Sequence, residues 1–207
     1  MKNLLVISSS PNLSASISKE LIDYFADALS GGRRDISVRQ RDLGKTPPPH
    51  LTEKTYSSFY TPTDQLSADL KDVIALSDEL VAELLDADTI IIGAPMYNFN
   101  ITSQLKTYLD HVARVGVTFG YGENGPEGKL NGRRVYVVVT RGGLYSKGSA
   151  AHMDNQEPYL RTMFGFLGLD DVTFIFAEEL TLGEEIKAKS IDAAKSRLAT
   201  IAQKMAA

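Results

Sequence analysis

Thr89-Ile-Ile-Ile-Gly-Ala-Pro-Met-Tyr-Asn-Phe-Asn100 decides how the rest of this chain is read. Its first four residues form an unbroken β-branched run, too short for a helix and bounded by Gly93 and Pro95, which predicts a central strand covered on both faces. Pro95 fixes its own φ and biases Ala94 away from the helical region, so the strand stops there and presents Met96, Tyr97, Asn98 and Phe99 at its carboxyl end. In open α/β sheets, ligands bind at that edge. An ordinary β–α connection would look the same in isolation; two further loops set this one apart.

Upstream, Leu66, Leu70, Val73, Ile74, Leu80, Val81 and Leu84 repeat at helical spacing, and downstream Ile101, Leu105, Tyr108, Leu109 and Val112 mark another helix. At the other end of the chain, Leu4-Leu-Val-Ile7 predicts a first strand. A Ser/Pro/Asn turn follows, then an amphipathic helix on Ile17, Leu21, Ile22, Phe25, Ala28 and Leu29, closed by Gly31-Gly32. Residues 36–43 alternate enough for a second strand with one partly solvated face. Residues 44–65 hold Pro47-Pro48-Pro49 and no periodicity, with room for a short helix; Tyr56, Phe59 and Tyr60 there suit either a partner surface or lid, or a cluster packed beneath the loop.

Gly116, Gly120, Gly122, Gly125 and Gly128 stud a long loop that has room for a hairpin. Arg134 to Val139 is the fourth strand, ending in Thr140-Arg-Gly-Gly143; a short apolar helix from Tyr159 to Leu167, a strand from Val172 to Ala177 and a last helix on Ile191, Ala194, Leu198, Ile201 and Met205 complete the chain. Five strands alternating with helices predict an α/β fold: a parallel sheet in the order 2-1-3-4-5 with helices on both faces and a switch point between the first and third strands.

A length of 207 residues suits one domain, residues 1–207, able to bury roughly 70% of the surface its unfolded form exposes. The net charge of -4 argues against a nucleic-acid partner, and Arg33-Arg34 and Arg133-Arg134 read as solvated strand entrances. With no cysteine there is no disulfide framework, thiolate metal site or cysteine nucleophile, which fits a cytoplasmic protein. Residues 1–7 are far short of a signal segment, and no stretch is long enough to span a bilayer, so no membrane association is expected. Asn12-Leu-Ser14 matches the glycosylation pattern only by chance.

Three loops therefore converge on one sheet edge: Ser8 to Ser18, Met96 to Phe99 and Thr140 to Gly143. The first offers hydroxyls and a helix N-terminus, with Ser14 or Ser16 placed as the cap, where an anion such as phosphate is favoured. The others offer aromatics, amides and glycine-permitted backbone approach for a flat ring, and together the three describe a mononucleotide site. The glycine-rich dinucleotide fingerprint is missing after the first strand. Hydrolytic and metal readings lack components: His50, His111 and His152 are scattered and no Gly-x-Ser-x-Gly elbow exists. Gly125-Pro-Glu-Gly-Lys129 fails as a P-loop, because Glu123 stands at the first glycine and Leu130 at the magnesium hydroxyl. Asp170-Asp171 and Glu178-Glu179 read as strand and loop boundaries.

Ser10, Ser16-Ile-Ser18, Ala94-Pro-Met-Tyr-Asn-Phe-Asn100, Gly116-Val-Thr-Phe119, Glu123-Asn-Gly-Pro-Glu-Gly128 and Thr140-Arg-Gly-Gly143 together resemble the FMN-dependent NADH azoreductases of the flavodoxin-like quinone reductase superfamily, nearly end to end. The resemblance implies a flavodoxin-like fold and an enzyme, with NADH or NADPH reducing FMN and a quinone or azo compound taking the electrons in ping-pong order. It implies that Ser10, Ser16, Ser18 and the Ile17 amide hold the FMN phosphate. Met96, Tyr97, Asn98 and Phe99 line the isoalloxazine, and Thr140, Arg141, Gly142 and Gly143 bound its pyrimidine side. Where many relatives carry glutamine this chain has Ile17, and Thr140 replaces a serine seen in some of them. It further implies a homodimer with FMN at the interface, with Tyr60, Phe119, Tyr121 and Phe166 as candidates for the substrate pocket contributed by the partner. A flavodoxin-like FMN electron carrier without NAD(P)H activity is the competing reading.

Overall fold

The computed structural model describes all residues except 1, 32, 34 and 207, so Gly32 and Arg34, named above, lie outside the described residues. In chain order the elements are β1 (Asn3–Ser8), α1 (Ile17–Ser30), β2 (Ser37–Asp42), α2 (Glu53–Tyr60), α3 (Ala68–Asp86), β3 (Thr89–Pro95), α4 (Ser103–Val112), β4 (Phe119–Gly122), β5 (Gly125–Gly128), β6 (Arg134–Thr140), α5 (Gln156–Leu167), β7 (Asp171–Ala177) and α6 (Glu184–Ala206). The main sheet runs β2-β1-β3-β6-β7, all pairs parallel. Counting only these five strands, this is the order 2-1-3-4-5; the hairpin β4–β5, allowed for in the glycine-rich loop, takes the intervening labels.

β3 is buried along its whole length, as a β-branched run at the centre of a sheet must be. The strand period of two divides the apolar residues between two cores. Leu5, Ile7, Ile90, Ile92, Val135 and Val137 face α3, α4 and α5, while Leu4, Val6, Ile91 and Val138 face α1 and α6. Each fully buried isoleucine contributes about 1.5–3 kcal/mol, so a one-residue slip in any inner strand would exchange both faces at once.

Helix ends follow their local chemistry. Ser16 caps α1 by accepting from the Lys19 N–H, and Gly31 closes it in the left-handed conformation at φ 51°. Arg133 donates to the carbonyls of Leu84 and Leu85, satisfying the end of α3. The segment after β2 contains α2, in which Phe59 is buried beneath the Arg114 guanidinium whereas Tyr56 and Tyr60 are exposed. His111 is buried on α4, its Nε2 lying 2.8 Å from the Pro49 carbonyl, which pins the triple-proline run. The β4–β5 hairpin rests on the end of α5 so closely that a Cβ on Gly128 would stand 2.0 Å from the Gly168 nitrogen. Among the described residues no helix is long and apolar enough to cross a membrane.

Candidate functional site

The loop after β1 is built by short polar side chains. Ser9 Oγ donates to the Gly93 carbonyl at 2.7 Å, fastening the loop to β3. Asn12 Oδ1 accepts from the N–H groups of Ser14 and Ala15, and Ser10 Oγ accepts from the Asn12 N–H at 3.2 Å, an arrangement that turns the chain into α1. Behind it, Gly44 leaves the space Ser10 occupies: a Cβ there would lie 2.0 Å from the Ser10 carbonyl oxygen. Ser16 and Ser18 hydroxyls sit 3.1 Å apart at the start of α1. Among the described residues the N–H groups of Ile17 and Ser18 have no acceptor. Two hydroxyls and two free amides at the positive end of a helix form an anion receptacle.

Beyond Pro95 the backbone is strained. The Met96 N–H donates to the Thr140 carbonyl at 2.9 Å, and Tyr97 and Asn100 exchange both backbone hydrogen bonds around Asn98 (φ 48°) and Phe99 (φ 67°). Two successive left-handed residues make a type I′ turn, which normally selects Asn and Gly. A phenylalanine held there costs of order 1–3 kcal/mol, strain of a kind that gathers at functional sites. Asn155 fixes the turn by donating to the Phe99 carbonyl at 3.0 Å, and the Phe99 ring meets Tyr145 edge-on at 5.9 Å. Tyr97 and Phe99 remain 43% and 39% exposed, leaving two aromatic groups open to a ligand.

The loop after β6 is stitched to the one after β7. Leu180, Thr181 and Glu179 donate their N–H groups to the carbonyls of Arg141, Gly142 and Gly143, each at 3.1 Å. A trans peptide points its N–H opposite to its C=O, so the amides of Gly142 and Gly143 turn away from that partner loop. Among the described residues neither amide has an acceptor. The Arg141 side chain points inward. It is fully buried and donates to Gln156 at 3.1 Å, Glu178 at 3.1 Å and Asp154 at 2.8 Å, with its guanidinium over the Phe176 ring. Gln156 in turn donates to the Ala94 carbonyl at 2.9 Å, so this cluster ties the β3 and β6 ends together. Burial pushes the Glu178 carboxyl up, but hydrogen bonds from the Ser146 hydroxyl, the Tyr145 N–H, Arg141 and the Ser146 N–H outweigh it and hold the group below its ordinary value.

The three loops enclose a cleft of about 410 Å³, lined by Ser10, Ser16, Ile17, Ser18, Met96, Tyr97, Thr140, Arg141 and Gly142. A side hollow of about 220 Å³ shares Met96 and Gly142 with it and adds Asn98, Phe99 and Tyr145. Gly143 lines neither; it lies against the Tyr145 ring. Asn12, Thr181 and Lys187 also line the cleft. Sequence reading missed these three: Asn12 could have been found from the Asx-turn habit of Asn-x-Ser, whereas nothing local announces that the loop after β7 folds over the one after β6. A separate hollow of about 510 Å³ opens on the other side of Tyr97, along the start of α4. None of Tyr60, Phe119, Tyr121 and Phe166 lines the cleft of its own chain. Phe119 is buried against Phe166 at 4.4 Å, whereas Tyr121, at the hairpin, is 73% exposed.

The model of a family described by its flavodoxin-like fold matches residues 2–202. An FMN-dependent NADH:quinone oxidoreductase of Hyphomonas neptunium is 48% identical over 206 residues, covering 98% of this chain and 97% of its own. FMN-dependent NADH:quinone oxidoreductase 2 of Pseudomonas fluorescens is 44% identical over 202 residues, covering 98% and 100%. Among solved structures, an FMN-dependent NADH-azoreductase from Bacillus anthracis in complex with FMN superposes with a TM-score of 0.89 at 25% identity, over 100% of both chains.

Proposed function

Since this chain belongs to the family of the flavodoxin-like fold, whose model matches residues 2–202, we infer that it is an FMN-dependent NADH oxidoreductase that reduces quinones and azo compounds. The observation that carries this reading is the meeting, in one cleft of about 410 Å³, of an anion receptacle with the free Gly142 amide and the open Tyr97 ring, with Phe99 in the adjoining hollow. The donor set fits FMN. The hydroxyls of Ser10, Ser16 and Ser18 and the Ile17 amide would hold the phosphate. Met96, Tyr97, Asn98 and Phe99 would flank the flat ring. Thr140, Arg141, Gly142 and Gly143 would bound its polar edge, Arg141 through its backbone because its side chain is fully engaged inward.

FMN, when bound, would supply the two-electron hydride chemistry between NADH and the acceptor, the two using the site in turn. The chain's own contribution is to bind, orient and stabilise charge. The Gly142 amide is held by the bond that the Arg141 carbonyl of the same peptide accepts from Leu180, so it can meet negative charge without reorganising. No protein acid–base pair is required by this scheme. The reading includes one FMN-binding domain and a homodimer in which Tyr60 and Tyr121 of one copy approach the cleft of the other. Their 58% and 73% exposure, away from their own cleft, supports that arrangement.

Anaerobic mixing of FMN-reconstituted protein with NADH, followed by a quinone, tests the function. Bleaching of the flavin absorbance and its rapid recovery are expected. FMN binding with no bleaching by NADH or NADPH would overturn the reductase in favour of an electron carrier.

A further inference from the structure

Lys187 is a charged residue of the cleft wall that the hydroxyl-and-amide receptacle leaves without a role. It sits in the first turn of α6 and lines the same cleft as Ser16, Ile17 and Ser18. The register of α6 on α1 is fixed by Lys195, whose Nζ lies 2.7 Å from Glu20 Oε1, Glu20 being in the first turn of α1. Lys187 precedes Lys195 by two helical turns, about 12 Å along the axis, which carries it beyond the N-terminus of α1. Its ammonium is weakly engaged: both oxygens of Glu184 stand at 3.4 Å, and that carboxylate is 90% exposed. A third of the Lys187 side chain is itself exposed, so it can change partner at small cost.

Charge balance gives this position its meaning. The only other cation lining the cleft among the described residues is Arg141, and it is buried between two carboxylates, Glu178 and Asp154. One guanidinium held by two carboxylates leaves Arg141 no positive charge to offer a ligand in the cleft. The receptacle at α1 offers hydroxyls, amides and a helix dipole, but no full positive charge. A phosphate monoester carries a charge of about -1.5 to -2 at neutral pH.

We propose that Lys187 is the counter-ion of the FMN phosphate, swinging from Glu184 to the phosphate held at Ser16–Ser18 and thereby selecting FMN over riboflavin. This rests on the FMN reading above. A lysine acts here as a flexible point charge, so the contact is electrostatic and salt-sensitive and does not demand one fixed geometry.

The test is equilibrium binding of FMN and of riboflavin to the flavin-free protein, followed by quenching of flavin fluorescence, at low and high salt, for the wild type, Lys187→Gln and Lys187→Arg. Lys187→Gln should weaken FMN roughly tenfold, as loss of a hydrogen bond to a charged group does. It should leave riboflavin unchanged and flatten the salt dependence, and Lys187→Arg should restore most of the loss. Far-ultraviolet circular dichroism of each variant should match the wild type. Equal weakening of both flavins, or FMN binding unaltered in Lys187→Gln, overturns the assignment while leaving the FMN reading intact. If the wild type binds neither flavin, the FMN reading itself falls, and this assignment with it.

Discussion

Gly44 and Phe99 show how single residues hold the cleft in shape. At Gly44 the constraint is steric, because a Cβ would stand 2.0 Å from the backbone oxygen of Ser10 and backbone cannot swing aside as a flexible side chain can. Gly44→Ala should therefore displace the Ser10 loop, costing about 1–3 kcal/mol of stability and weakening FMN binding. A urea titration and an FMN titration check both effects, and unchanged affinity would separate Gly44 from the site. At Phe99 the constraint is conformational: the residue keeps a left-handed backbone while its ring stays 39% exposed, so little packing energy is lost on truncation. Phe99→Ala should lower turnover by roughly tenfold or more while shifting stability by less than about 0.5 kcal/mol. Steady-state kinetics identical to the wild type would remove Phe99 from the site.

Among the elements, the ends of β3, β6 and α5 depend on one buried cluster. Arg141 is fully buried between Glu178 and Asp154, with Gln156 completing its bonds and reaching back to Ala94. Arg141→Met would leave two buried carboxylates without their cation, and should destabilise the protein by about 3–5 kcal/mol in chemical denaturation. Glu178 also sets a pH dependence. Its folded pKa lies below the ordinary 4.5, so its contribution is complete above that value and is lost as pH falls through the lower folded pKa. Glu178→Gln should accordingly be less stable than the wild type at pH 7, with the gap closing as the solution is acidified below about pH 4.5. A gap that stays constant or widens on acidification in thermal melts would contradict this network.

For the whole molecule, the question is what the exposed aromatic groups on α2 and the hairpin are for. The Tyr56 and Tyr60 rings lie tilted at 49° with centroids 5.0 Å apart, and the Tyr60 phenol is raised from its ordinary value first by desolvation, then by Tyr56 and by Tyr121. A dimer is expected in sedimentation velocity, and Tyr121→Ala should lower turnover without altering the chain's own cleft; a fully active monomer would exclude the arrangement. Sheet order and the three cleft loops were legible from the chain alone, because β-branched runs, prolines, glycines and helical periodicity act over a few residues. So were a serine cap at Ser14 or Ser16, of which the structure uses Ser16, and the Pro-Met-Tyr-Asn-Phe stretch as the turn that ends β3. What the sequence could not tell is where side chains far apart in the chain meet. Arg141 reads as a cleft residue but spends its charge on Asp154 and Glu178, Phe99 adopts a backbone that its side chain disfavours, and Lys187 reaches the cleft only because α6 packs on α1. Local pattern determines which elements form and where their loops emerge; only tertiary packing decides which charges are neutralised within the protein and which are left for a ligand.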